Sequence, residues 1–554
     1  MIRSLSLWSL AALGLLSGAE PLANYNAAFP AGESRPILTP VVGPAPRING
    51  PRVVGVRPGK PFLHAVPATG RPPLTYGAEG LPAGLVIDPR TGLITGRITA
   101  PELAREGRAT VRLAVTNALG SAQADLQIVV GDTICLTPPM GWNSWYVYSE
   151  SVTDTGIRRM TDAMRDAGLV GHGWSYINID DCWTGERDPH TKAIRGNAKF
   201  PDMAALSGYV HGQGMKLGVY STTWMSTYAG YIGGSAPNAE GDYSASYRPV
   251  EQRHGPGQYF GRYPGGIEAG LSTIGPVWMV GEDARQFAAW GVDFVKYDWN
   301  EWTLVRQADG KFQPPPKGNH EKTEAVIKRF HDDFRAVDRD IVLSLSPRHS
   351  RTEDPWCVRY ANLWRMTEDI QPIWSCMKAP LQGELAERHA LSGPGHFGDL
   401  DMLQIGSIGV PNSTNITFRP SPLTPAEQYF QVSLWCLLQQ PLLLSCDLSQ
   451  LDAFTLGLIT NDEVLAIDQD ALVSPARRVA GVADSYEVWE KKLADGSRVY
   501  GIFNLAAQRQ DVPVANLGGL RLRDLWRQRD LGPVGPEFTV TVESHGCALL
   551  KTLP

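Results

Sequence analysis

From Thr137 onward, short apolar stretches alternate with longer segments whose apolar residues recur every three or four positions. The first pattern predicts strands buried on both faces, the second predicts amphipathic helices, and their alternation predicts βα units around a parallel sheet. Eight strands are expected: Met140–Trp145, Ser175–Asp181, Lys216–Ser221, Phe294–Trp299, Ile341–Ser346, Tyr360–Arg365, Met402–Gly406 and Pro441–Cys446. Helices fit between them at Val152–Ala167, Glu282–Trp290, Glu321–Val337 and Pro425–Leu438. Eight such units point to an α/β fold, a (β/α)8 TIM barrel over 136–477.

The flanks have a different rhythm. Residues 44–131 carry short alternating β-branched stretches, such as 108–115, separated by glycine and proline turns. They predict an N-terminal β-sandwich module, structural or spacing in role, with sugar binding as the lesser reading. Residues 478–554 return to short strands, among them 500–504 and 538–542, and predict a C-terminal antiparallel β-sandwich. Ahead of all this, Arg3, the apolar run Leu5 to Leu16 and the small residues Ser17, Gly18 and Ala19 predict a signal peptide over 1–19. The apolar run is too short to span a bilayer of ~30 Å. The protein is therefore expected to be secreted or periplasmic.

Composition narrows the function. Of the 554 residues, 43% are hydrophobic and 19% charged, with a net charge of −6. That balance excludes a disordered chain and disfavours nucleic acid or an anionic membrane as partner. The sixteen Trp suggest flat apolar surfaces within a site, and Trp145, Trp183, Trp299 and Trp364 lie at or beside expected strand ends. Seven cysteines leave at least one free thiol; Cys357 and Cys376 are either bridged or two unpaired core thiols. No CxxC, HxH or HExxH occurs, so no metal site is expected.

Reactive residues of such barrels sit at the carboxyl ends of the strands. There the chain places Trp145, Asp180, Asp181, Lys296, Asp298, Arg365 and Asp369. One Asp after a strand is usually a helix cap, but several carboxylates converging from different strands would repel one another without a ligand or cation. In Val295-Lys-Tyr-Asp-Trp299, alternation puts Lys296 and Asp298 on one face, where the ammonium should hold Asp298 ionised as a nucleophile. In Trp364-Arg-Met-Thr-Glu-Asp-Ile370, extended geometry would align Arg365, Thr367 and Asp369, with Glu368 turned away. Crowding would make Asp369 the carboxyl that keeps a proton. One ionised and one protonated carboxyl are the two parts of glycoside hydrolysis.

At these residues the chain resembles glycoside hydrolase family 27, the α-galactosidases and α-N-acetylgalactosaminidases. The resemblance runs from Leu136 to the C-terminus through Met140-Gly-Trp-Asn-Ser-Trp145, Tyr176-Ile-Asn-Ile-Asp-Asp-Cys-Trp183, Lys296-Tyr-Asp298, Arg365-Met-Thr-Glu-Asp369 and Asp399-Leu-Asp-Met402. The N-terminal module similarly resembles the immunoglobulin-like domains that precede some bacterial glycosidases. The family implies a retaining double displacement with Asp298 as nucleophile, Asp369 as acid/base, and no cofactor. It implies a sugar pocket lined by Trp145, Asp180, Asp181, Tyr220, Lys296, Arg365 and Asp401. Ser346 falls in the loop that reads the sugar's 2-position, where Glu marks animal galactosidases and Ser marks N-acetylgalactosaminidases. The sequence departs from the family at a cysteine pair, replaced here by Asn300 and Tyr228, and at Pro347 and Arg348.

The expected substrate is an oligo- or polysaccharide ending in α-galactose. Alternatives are α-N-acetylgalactosaminidase or β-L-arabinopyranosidase activity, or a catalytically silent carbohydrate-binding barrel. The segment Met225 to Val280, with six Tyr, is either a lid with extra subsites or a surface insertion. Asn412 and Asn415 match glycosylation acceptors.

Overall fold

The computed structural model describes residues 20–103, 105–243, 274–298, 320–346, 354–409 and 417–554, and the strand pair 305–306 with 312–313. The expected leader, Trp299, Asn300, Pro347, Arg348, Asn412, Asn415 and the middle of the 225–280 segment lie outside the described residues.

Eight parallel strands make the centre of the molecule: β1 (Met140–Asn143), β2 (Tyr176–Asn178), β3 (Lys216–Thr222), β4 (Phe294–Asp298), β5 (Val342–Ser346), β6 (Leu363–Arg365), β7 (Phe397–Asp399) and β8 (Leu442–Leu444). They pair in the order β7-β6-β5-β4-β3-β2-β1-β8. A parallel bridge between Leu403 and Leu444 joins the chain beyond β7 to β8, giving the expected (β/α)8 barrel. Helices Asp154–Asp166, Met203–Gly212, Val280–Trp290, His320–Ala336 and Pro425–Leu437 lie within one or two residues of their expected ends where an expectation was made. Their starts are chemically marked. Thr153 and Asp202 accept backbone N–H groups as caps, and Thr424 and Glu427 form a reciprocal capping box with Pro425 in the first turn.

Strands β1, β2 and β8 end two or three residues earlier than expected, and two strands are misplaced. Residues 360–362 do not belong to β6, because Tyr360 closes the helix Asp354–Tyr360. Residues 402–406 are not the seventh strand; it lies five residues earlier, at Phe397–Asp399. The misleading signal has a physical source: Met402, Leu403 and Ile405 are buried, but Asp401 adopts a left-handed φ of 74° and ends the extended run. β7 itself holds one apolar residue, Phe397, too few to show a pattern.

Alternation along the strands builds the barrel interior in layers. Tyr176, Phe294, Val342, Leu363 and Phe397 pack with Ile134 and Val473 as an apolar floor, separate from the main core. Two residues further along the same strands stand Asn178, Lys296, Ser344, Arg365 and Asp399; two more bring Asp298 and Ser346 at the ends of β4 and β5, with Asp180 and Asp401 just beyond β2 and β7. Gly218 sits in register with Asn178 and Phe294. A Cβ there would lie 2.0 Å from Asn178 Oδ1, so only glycine fits.

The N-terminal module has a sheet of Val53–Val56, Thr75–Glu79, Gly107–Asn117 and Gly120–Val130, a second of Pro61–Ala65, Leu85–Ile87 and Leu93–Arg97, and a short pair of Arg47–Ile48 with Ala68–Thr69. Every second residue of Val111, Leu113, Val115, Leu126 and Ile128 points into its own core. The module docks against the end of the barrel where the strands begin. Buried Arg57 is the centre of this contact: its backbone N–H and its guanidinium both engage the Asp340 carboxylate, and Nη1 donates to the Arg335 carbonyl at 2.7 Å.

The C-terminal domain is a β-sandwich that includes a strand from the opposite end of the chain. Leu22–Asn26 pairs in parallel with Arg529–Val542. Beyond it, the Leu38 N–H donates to the Tyr429 hydroxyl at 2.9 Å, and Thr39 Oγ1 donates to the Gly457 carbonyl at 2.6 Å. Residues 20–40 therefore tie the sandwich to the barrel. All seven cysteines are free, so Cys357 and Cys376 are unbridged thiols.

Replacing Arg57 by Met strands the Asp340 carboxylate at the docking surface, which should cost about 3 kcal/mol. The expected result is an early thermal transition with protease cleavage between 45 and 131. An unchanged melting curve would show that the module is held by other contacts.

Candidate active site

The carboxyl ends of the strands bring together side chains from seven of them, β1 to β7. Asp180 follows β2 and is held from several sides. Lys296 of β4 donates to its Oδ2 at 2.9 Å, Asn143 Nδ2 of β1 donates to the same oxygen at 2.9 Å, and Oδ1 receives the Asp181 N–H. Asp181 turns the other way and accepts the N–H groups of Cys182 at 2.6 Å and Ala229 at 2.7 Å. Tyr220 of β3 donates to Asp298 Oδ2 at 3.1 Å and itself receives the Tyr228 N–H at 3.4 Å. Ser346 ends β5 in register with Asp298. On the far side, Arg365 Nη2 lies 2.8 Å from Asp401 Oδ2 and 3.2 Å from Asp369 Oδ1.

The cations do not pair quite as the sequence suggests. Lys296 and Asp298 share a face, but the ammonium forms its ion pair with Asp180, and Asp298 takes its hydrogen bond from Tyr220. Residues two apart on one strand point the same way at different depths, so Lys296 reaches across to a neighbouring strand more easily than along its own. Burial opposes the Lys296 charge, yet Asp180, Asp298 and Asp369 outweigh it and hold the ammonium more firmly charged than usual. Asp298 is pushed above the ordinary carboxylate range by burial, with Lys296 and the Tyr220 hydroxyl opposing and Asp369 and Asp180 adding to the shift. Burial likewise raises Asp181 to about 7 and Asp399 to about 6.

The segment after β6 is also not extended. The strand stops at Arg365 and the chain bends, so alternation does not set the Arg365, Thr367 and Asp369 faces. Arg365 and Asp369 still meet because the long guanidinium reaches back over the bend, also donating to the Thr367 carbonyl at 3.2 Å. Asp369 stands at the mouth with its side chain 79% exposed, and its charge is among those that raise Asp298.

Among the tryptophans, Trp145 forms a wall with the ring of Tyr228, edge to face at 6.2 Å. Trp183 and Trp364 are fully buried in the main core, so they support the barrel and do not line the pocket. Several site residues were not singled out from sequence. Asn143 links Asp180 to the Trp145 N–H, and Asp399 Oδ1 receives the Asp401 N–H at 2.7 Å. Both lie inside motifs quoted above, beside the residues chosen. Asn178 was recoverable from the alternation Tyr176, Asn178, Asp180; its amide is buried without a hydrogen-bond partner among the described residues. Among the described residues no cluster of His, Cys, Asp or Glu is arranged to hold a metal.

A barrel whose strand ends gather carboxylates around two buried cations, beside an aromatic wall, defines a glycosidase. The chain belongs to the alpha galactosidase A family, whose profile matches residues 137–246 and 257–470. The alpha galactosidase C-terminal beta sandwich domain matches 483–552, and an Ig-domain profile matches 45–131. An alpha-galactosidase of Cyamopsis tetragonoloba is 29% identical over 427 residues, covering 76% of this chain and 86% of that one. A Bacteroides fragilis protein provisionally described as an alpha-galactosidase superimposes with a TM-score of 0.75 at 28% identity, covering 94% of this chain and all of the other. A β-L-arabinopyranosidase of Geobacillus stearothermophilus gives a TM-score of 0.59 at 26% identity, over 76% of this chain and 97% of its own.

The raised Asp399 carboxyl has a consequence for stability. The unfolded chain ionises this group near the ordinary value, whereas the folded protein keeps it protonated until about pH 6. Its contribution therefore falls as pH rises between about 4 and 6 and is constant above. Melting curves of Asp399→Asn, which keeps the acceptor for the Asp401 N–H, should slope less over that window than wild type. Equal slopes would refute the assignment.

Proposed function

We propose that the protein hydrolyses terminal α-D-galactosyl residues with retention of anomeric configuration. The observation that carries this reading is the pairing pattern at the mouth: Asp298 hydrogen-bonded to Tyr220 beside the Lys296–Asp180 pair, with Asp369 held by Arg365 across from it.

Asp298 is the nucleophile. Its carboxylate attacks the anomeric carbon, forming a covalent glycosyl ester as the bond to the leaving oxygen breaks. Asp369 supplies the proton that the leaving oxygen takes up, then removes a proton from the water that cleaves the ester. Burial makes the Asp298 carboxylate more basic, while the Lys296 field and the Tyr220 hydroxyl keep its ionised form attainable. Trp145 offers an apolar face to the sugar ring. Asp180, Asp181 and Asp401 accept hydroxyl protons, with Lys296 and Arg365 available as donors. A site of fixed polar partners rejects sugars that lack the matching hydroxyls. No cofactor takes part in these steps.

The likeness to a β-L-arabinopyranosidase keeps that sugar in view, and Ser346 keeps N-acetylgalactosamine in view. The described flanks of the 225–280 segment pack into the barrel core through Met225, Tyr231, Ile232 and Tyr243. The leader pattern supports export to the periplasm or medium. Among the described residues no helix is long and apolar enough to cross a membrane.

Parallel assay of nitrophenyl α-galactoside, α-N-acetylgalactosaminide and β-L-arabinopyranoside should show the first to be hydrolysed fastest. Asp298→Ala should abolish turnover on all three while leaving the melting transition in place. Wild-type-like turnover in that variant would sink the nucleophile assignment, and absence of hydrolysis of any of them by wild type would favour a binding protein.

A further inference from the structure

The segment that carries Asp369 is supported from two sides, and one of them is another domain. At the mouth, the Ile370 N–H donates to Asp401 Oδ2 at 2.8 Å and the Ile370 carbonyl accepts from the Tyr146 hydroxyl at 2.9 Å. Farther along, Ile373 is exposed and Trp374 opens the helix Trp374–Lys378. The Trp374 indole lies flat on the His545 imidazole, with centroids 4.0 Å apart and planes inclined by 9°. Phe430 of the barrel helix meets the same indole edge-on at 4.9 Å.

His545 belongs to the sandwich, in the turn between Arg529–Val542 and Cys547–Leu553. Its orientation is set from both ends. The backbone is left-handed, φ 52°, and Nδ1 lies 2.8 Å from Glu427 Oε1. The other oxygen of Glu427 accepts the Thr424 N–H at 2.8 Å, so the carboxylate that aims the imidazole is itself fixed by the start of a barrel helix. A ring held this way is a stiff support for its stacking partner, since offset aromatic contacts add roughly 1 kcal/mol beyond area burial.

We propose that His545 is a positioning residue for the acid/base: through its stack on Trp374, the C-terminal sandwich anchors the 370–374 segment and thereby holds the Asp369 carboxyl where a leaving oxygen will be. Asp369 stands largely in solvent at the mouth, and proton transfer needs its oxygen within ~2.6–3.2 Å of the acceptor. Small displacements of such a group lower the rate steeply. The proposal rests on Asp369 being the acid/base, and it gives the sandwich a part in the reaction.

The test compares methyl and nitrophenyl α-galactosides by kcat/KM, which reports the bond-breaking step. Methoxide must be protonated as it leaves, whereas nitrophenolate departs with little help. Asp369→Ala should lower kcat/KM for the methyl glycoside by about 100-fold or more relative to the nitrophenyl one. His545→Asn keeps a residue tolerant of left-handed backbone and a polar group for Glu427, but removes the ring. It should lower the methyl glycoside value about tenfold, with a much smaller loss on the nitrophenyl glycoside. His545→Phe, which keeps the ring, should restore most of the methyl glycoside activity. If His545→Asn lowers both substrates equally, or neither, while Asp369→Ala discriminates between them, the positioning role is overturned and the acid/base reading stands. If Asp369→Ala does not discriminate, the acid/base reading fails and the positioning role fails with it. Should His545→Asn not fold by circular dichroism, Trp374→Leu with rescue by Trp374→Phe is read in the same way.

Discussion

The rest of the site depends on two buried cations placed among carboxylates that would otherwise repel. Lys296 and Arg365 stand in the same layer of the barrel, one pairing with Asp180 and the other with Asp401 and Asp369. A charge taken out of water needs a partner close by, and a carboxylate cluster needs a counter-charge. Each requirement meets the other here. Among the described residues, Asp298 has no direct cation and is touched by the Tyr220 hydroxyl and by the field of Lys296. A carboxylate locked in a short ion pair would be a poor nucleophile, because bond formation would have to break that pair. Routing Lys296 to Asp180 keeps Asp298 available, while the Lys296 field opposes the rise that burial imposes on its carboxyl.

This charge layer has to be carried by a rigid frame. Below it lies the floor of Tyr176, Phe294, Val342, Leu363 and Phe397, which keeps water from reaching the cations from underneath. Around it, cores such as that of Trp183, Phe287 and Trp290 brace the strands from outside. Two tryptophans that looked like sugar platforms serve this outer packing. The floor is covered in turn by the N-terminal module, through Arg57 and Asp340. The module thus completes the closed end of the barrel, on the opposite side from the mouth.

What could be read from the chain before the fold was known follows the range of the physical signal. Strand alternation is a period-two pattern, so Lys296 and Asp298 were legible as one face, and the same pattern carried Tyr176 with Asn178 without being read. The barrel class followed from the number of repeats. Failures arise where one residue overrides a local pattern. Asp401 takes a left-handed backbone and moves the seventh strand, and the bend after Arg365 removes the alternation on which the Asp369 face had been argued. Pairing partners lie outside any local pattern. The choice of Asp180 over Asp298 by Lys296 is a matter of distance between strands, and no spacing within Val295-Lys-Tyr-Asp-Trp299 contains it. Nor could five residues, Leu22–Asn26, announce that they complete a sheet formed by residues more than 500 positions away.

That last pairing and the His545 stack bear on why a sandwich accompanies this barrel. The segment beyond the N-terminal strand, through the Tyr429 hydroxyl that serves both Pro36 and Leu38, and the Trp374–His545 contact, through Phe430, converge on the helix Pro425–Leu437. This helix is buried along nearly its whole length, an unusual state for the outer layer of a barrel, where one face normally meets water. Its polar residues Gln428, Gln431 and Ser433 are consequently buried, and they hydrogen-bond to Leu423, Gln404 and Trp526. A helix buried on both sides cannot tolerate removal of the sandwich without exposing apolar surface. The sandwich is therefore part of the folding unit of the barrel, and the loop that bears Asp369 is built where the two meet.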